Sequence, residues 1–127
     1  MRFEQAMVDE FQNSMLALSD NLYPLVAPAG TVAPYVVYAS SEGEYDRTLE
    51  GYQGSRAIPV TINVVALNYD SLKQNTAAII ALLIGFQGRA IGGEGLHINE
   101  LVLNEPDEFY DEETKLYKSV FSFTVHI

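Results

Sequence analysis

The chain has 127 residues, with 17 Asp+Glu against 7 Lys+Arg, a formal net charge of −10 at pH 7 and no cysteine. Its length suits a single domain, residues 1–127, that buries roughly two-thirds of its unfolded surface. Without cysteine, disulfides, thiolate zinc sites and cysteine nucleophiles are excluded, and the acidity argues against binding to nucleic-acid phosphates or anionic membranes.

The opening residues Met1-Arg2-Phe3-Glu4-Gln5 place an acid where the apolar run of a signal peptide would start. Phe3, Met7, Phe11, Met15 and Leu18 recur at three- and four-residue steps, which predicts an amphipathic helix over Arg2–Leu22. Its acids, Glu4, Asp9 and Glu10, are expected early in that helix, where the macrodipole favours them. Pro24 ends the helix, because it disfavours the helical conformation at the residue before it. Residues 23–34 hold three prolines and a glycine and read as an irregular connection packed on the body.

Tyr35–Ala39 is a short β-branched and aromatic strand. Residues 40–56, with three glycines, read as a long loop. The next strand, Ala57–Leu67, alternates Ile58, Val60, Ile62 and Val64 with Pro59, Thr61 and Asn63. Val65 and Leu67 switch that parity, through a bulge or through burial of both faces at the strand end. Pro59 has no N–H, so the strand is expected to start at a sheet edge.

Asn68 is the expected N-cap of a second helix, with Asp70 in its first turn. Leu72, Thr76, Ile79, Ile80, Leu83 and Phe86 form its buried stripe. Residues 85–95 read as a glycine-rich turn, and Leu96–Leu103 as a strand. Asn104–Thr114 reads as an acidic connection, and Leu116–Ile127 as the last strand. That strand is expected to bury Phe121, Phe123, Val125 and Ile127 and to turn Ser119, Ser122, Thr124 and His126 away. The fold class is α+β: a mostly antiparallel four- to five-stranded sheet covered by two helices, in the order α-β-β-α-β-β.

No pattern with chemistry emerges. The glycines follow a helix and lack the Lys-Ser/Thr of a phosphate loop, so they read as a helix cap and turn. Asp107–Glu113 lacks the spacing and glycine of a calcium loop. His97 and His126 stand on different predicted strands without metal-ligand spacing. The expectation is no enzyme, no metal and no cofactor. Arg47, Arg56 and Arg89 are either solvated charges or contacts to acidic patches on neighbouring copies.

Several stretches together resemble the tail completion, or tail-to-head joining (tail terminator), proteins of long-tailed bacteriophages and prophages. They are the N-terminal amphipathic helix ending in Leu22-Tyr23-Pro24-Leu25-Val26, then Pro28, Gly30-Thr31, Pro34-Tyr35-Val36, the strand Val60–Ala66 and Asn68-Tyr69-Asp70-Ser71. Tyr110-Asp111-Glu112-Glu113 before Leu116-Tyr117 and the terminal Phe121–Val125 complete the set. The resemblance implies a structural subunit that forms a ring, typically a hexamer, at the head-proximal end of the virion tail after assembly in the host cytoplasm. The ring would stop tail-tube polymerisation and dock on the head connector. DNA would pass through without specific binding, and no membrane is involved. The interface expected for such a ring is Tyr45, Arg47, Tyr52, Arg56 and Arg89, with Phe109 and Tyr110 on a second surface. The alternative is a monomeric α+β module binding a small ligand or peptide, with a pocket lined by Tyr35, Tyr38 and Tyr117.

Overall fold

The computed structural model describes residues 2–14, 21–41, 44–48 and 51–127. Helix α1 spans Phe3–Asn13. Phe3, Ala6, Met7 and Phe11 are fully buried along its inner face, as the spacing predicts. The helix is shorter than expected. The Ser14 N–H bonds the Glu10 carbonyl (3.0 Å) and its Oγ bonds the Phe11 carbonyl (2.9 Å), closing the last turn. Met15, Leu16 and Leu18 lie outside the described residues. Asp9 and Glu10 therefore sit in the second half of α1, where the macrodipole does not favour them.

Leu22 belongs to a strand rather than to the helix. Strand β1 (Leu22–Pro24) pairs in parallel with β2 (Tyr35–Ser40), Leu22 opposite Val36. The Val36 N–H bonds the Asn21 carbonyl at 2.8 Å, and this holds the segment extended. The connection between them does not pack down as expected. Leu25, Val26 and Val32 are each about three-quarters exposed.

The predicted loop at 40–56 is largely a β-hairpin. Strand β3 (Glu44–Thr48) pairs antiparallel with β4 (Gly51–Ala66), from Glu44 opposite Ala57 to Thr48 opposite Gly51. Glycines and charges give this stretch little strand character of its own, so pairing decides its conformation. Strand β4 is central, not an edge. It lies between β2 and the last strand, β9 (Leu116–His126). Pro59 is nevertheless accommodated by the logic that suggested an edge. Arg56 and Ile127 exchange both backbone hydrogen bonds, so even-numbered β4 residues bond β9 and odd-numbered ones face β2 and β3. Pro59 thus turns its missing donor to the gap where β2 stops (Ser40 opposite Val60) and β3 has not begun (Glu44 opposite Ala57). No bulge occurs at Val64-Val65. The β4–β9 register runs unbroken from Ala57 to Ala66, and both valines are buried.

Helix α2 (Tyr69–Ile84) starts where the sequence indicates. The Asn68 side chain accepts the Ser71 N–H at 2.8 Å. Leu72, Thr76, Ile79 and Leu83 are buried, Phe86 is buried just beyond the helix, and Ile80 is partly buried.

The glycine-rich turn contains a second, two-stranded sheet of β5 (Arg89–Ile91) and β6 (Leu96–Ile98). The predicted strand 96–103 is therefore divided at Asn99. Its second half, β7 (Glu100–Leu103), joins the main sheet beside β9. The acidic connection contains β8 (Asp107–Asp111), also paired with β9. The main sheet runs β1-β2-β4-β9-β7, with β3 beside β4 and β8 beside β9.

Both helices lie on one face of this sheet. Their core partners are Val36, Ile58, Val60, Ile62, Val64, Phe121, Phe123 and Val125, and the Phe3 and Phe123 rings meet edge-on at 6.2 Å. Ser119 departs from the expectation. It is fully buried on the same side, as its two-residue spacing to Phe121 requires.

Candidate assembly surface

Three surface features follow from this architecture. The first is at the β8 edge. Phe109 pairs with Lys118 and Tyr110 with Tyr117, so strand alternation sends Phe109 to the open face and Tyr110 to the helix face. Both are about half exposed. The Tyr110 and Tyr117 rings meet at 4.9 Å, and Tyr69 from the first turn of α2 lies 6.3 Å from Tyr117. With Leu72 and Glu108 these residues line a cleft of about 340 Å³. Glu108, the one charged residue of the lining, pairs with Lys73 (2.6 Å), while Lys118–Asp111 (3.0 Å) lies on the open face beside Phe109. The hydrogen bond that Lys73 donates to Glu108, then that with Tyr69, holds the Lys73 ammonium above its usual value. The Lys118 hydrogen bond, then that from Thr114, holds the Asp111 carboxyl below its usual value. The acid of the cleft lining is thus paired within the chain. Sequence reasoning named Phe109 and Tyr110 but missed Tyr69 and the ion pairs, because Lys73 and Glu108 meet only through the packing of α2 on the sheet.

The second feature is the acidic side of α1. Glu4, Asp9, Gln12, Tyr38 and Glu94 line a cleft of about 460 Å³. Burial, then the charge of Glu4, raises the Tyr38 phenol above its ordinary value. The α1 acids also clasp the small sheet. Asp9 accepts the Gly93 N–H (3.0 Å), and Glu10 accepts the Gly92 N–H (3.3 Å) and pairs with Arg89 (3.5 Å). Arg89 also donates from Nε to the Gly85 carbonyl (3.1 Å). Named as an interface residue, Arg89 is held by its own chain.

The third feature is the β3–β4 hairpin. Beyond Arg56, which pairs with Ile127, β4 leaves β9 and continues to Gly51 alongside β3. At about 3.4 Å per residue the hairpin projects roughly 17 Å past the body. Tyr45, Arg47, Tyr52 and Arg56 all fall on it, Tyr45 opposite Arg56 and Arg47 opposite Tyr52. The side chains of the first three lie outside the described residues.

The pocket required by the alternative reading does not form. Tyr35 and Tyr38 differ in parity along β2 and so face opposite sides of the sheet. Tyr38 opens on the α1 cleft, whereas Tyr117 belongs to the aromatic cleft two strands away. His97 and His126 stand in different sheets. Among the described residues, no group of three or more His, Asp or Glu is placed to hold a metal.

Exposed aromatics and a projecting hairpin are features of a protein built to pack against other proteins. Residues 12–127 match the family model described as Tail completion protein gp17, and the chain belongs to that family. It is a structural, non-catalytic component of a phage-like virion. A chain in a structure titled "Virion of native gene transfer agent (GTA) particle" has the same fold. Its TM-score is 0.65 at 17% identity, covering 96% of this chain and 92% of that one. No match was found among curated protein sequences.

Proposed function

We propose that the protein folds as one domain and assembles into a ring, a hexamer, that caps the tail tube and joins it to the head connector. The match of residues 12–127 to the tail completion family carries this reading. The surfaces support it. A ring of identical subunits needs two different patches per copy; the β8 edge is one candidate, and the projecting hairpin is a separate surface for other virion partners. Tyr45, Arg47, Tyr52 and Arg56 are the proposed contacts of the hairpin arm, with Phe109 and Tyr110 at the second surface. Arg89 contributes by holding the β5–β6 sheet against α1. The ring sits at the head-proximal end of the tail and is built in the host cytoplasm. The acidic α1 side lines the channel, where it repels DNA phosphates so that the genome slides without being held.

The test is tail-tube polymerisation with and without the protein, with mass measured by light scattering over a wide concentration range. The expected result is tubes that stop growing once one ring is bound per end. Tubes that elongate equally with the protein present would overturn the reading.

A further inference from the structure

We propose that copies join head to tail by seating the exposed connection between β1 and β2 of one copy in the aromatic cleft at the β8 edge of the next. The proposal rests on the ring reading above and specifies its contact. At −10 each, two copies repel, so the contact must run where local charge is absent or cancelled. The chain offers two such surfaces. From Asn21 through Ser41 there is no charged residue. This stretch forms an edge strand and the connection that presents Leu25, Val26 and Val32 to solvent. The aromatic cleft on β8 is the other: Glu108 is the one charged residue of its lining, and it is tied to Lys73 of the same chain.

The connection is held in shape. The Leu25 N–H bonds the Tyr38 carbonyl (2.7 Å), and Thr31 bonds the Pro28 carbonyl through both its N–H (3.1 Å) and its Oγ1 (2.6 Å). Leu25 itself has φ +63°, a left-handed conformation that a branched apolar residue rarely takes. The backbone accepts that strain while the side chain points to water, which fits a residue whose partner is another molecule. An ordered apolar segment loses little freedom on docking. The cleft supplies the exposed tyrosine and phenylalanine side chains that anchor protein contacts.

The two patches lie at opposite edges of the main sheet, β1 on one side and β8 on the other, roughly 19 Å apart at about 4.8 Å per strand. A contact between different patches leaves each copy with one of each free, so it propagates from copy to copy, as a ring requires.

The absence of cysteine makes the test direct. Ala29→Cys labels the exposed connection and Asp107→Cys labels β8 beside the cleft, and neither removes a proposed anchor. The two variants, one carrying a size tag, are mixed, assembled and treated with a short bismaleimide. The expected product joins tagged to untagged chains and appears only in the mixture. Same-site products from either variant alone would mean a two-fold contact and overturn the proposal. Assemblies that form without a mixed product would overturn it too, while leaving the ring reading intact. Copies that stay monomeric both alone and on tail tubes would sink the ring reading itself. A second variant, Val26→Glu, should raise the concentration for half-assembly at least about tenfold with an unchanged melting midpoint. Wild-type association should strengthen with salt, as screening relieves the repulsion; weakening with salt would mean the contact runs through ion pairs instead.

Discussion

The two faces of the main sheet are built from the same strands and do opposite work. On the helix side, Ile58, Val60, Ile62 and Val64 of β4 are essentially without solvent contact, and Phe121, Phe123 and Val125 of β9 lie beside them. On the other side, the same stretches present Pro59, Thr61 and Asn63 and then Ser122, Thr124 and His126. One face holds the fold together; the other is polar and partly exposed. Substitutions one residue apart should therefore differ severalfold in cost.

The largest effect is expected at Phe123. Its ring is buried against Phe3, and Phe123→Ala should cost about 3–5 kcal/mol in urea unfolding. Thr124→Ala, on the open face, should cost less than about 1 kcal/mol. Equal losses would mean that the open face is as tightly packed as the core. Ser119 sharpens the comparison in the reverse direction. Its hydroxyl is buried on the helix side, with no hydrogen-bond partner among the described residues. Ser119→Ala removes that desolvated group, so stability should rise by up to about 1 kcal/mol. Next in size is Asn68→Ala, which removes the side-chain cap of α2 and should cost about 1 kcal/mol.

Legibility in the sequence follows the same division. Strand β4, strand β9 and helix α2 carry their own periodicity because one side of each is buried, and a local pattern then suffices. Helix α1 was legible in its face but not in its end. The misread elements are short strands at the periphery. Strand β1 has three residues and takes its shape from β2. Strands β3 and β8 are rich in charge, yet become strands because β4 and β9 offer them an edge to pair with. Such pairings join residues distant in sequence, and propensity says little about them. The candidate surface shows the same limit. Phe109 and Tyr110 stand out as aromatics in an acidic run, but that Lys73 and Lys118 cancel the neighbouring acids depends on how α2 and β9 pack.

That cancellation gives the smallest expected effect and the one most specific to the β8 edge. Asp111 has its folded-state value lowered below 3.8, first by the Lys118 hydrogen bond. A depressed acid contributes stability that is present above its unfolded value and lost as pH falls through the folded one. Lys73 has its value raised above 10.5, first by the Glu108 hydrogen bond. Its contribution is present below the unfolded value and lost as pH rises through the folded one. Both ion pairs are solvent-exposed, so neither change should approach that of Phe123→Ala. The two pairs therefore stay ionised from mildly acidic to mildly alkaline pH and should contribute a flat pH dependence over that range. Asp111→Asn should remove part of the acid-side loss of stability and leave the alkaline side unchanged. It should also leave the Lys118 charge uncancelled. Parallel melting curves of wild type and Asp111→Asn across acid pH check this. Identical acid-side slopes would mean that the Asp111–Lys118 pair adds nothing to the edge.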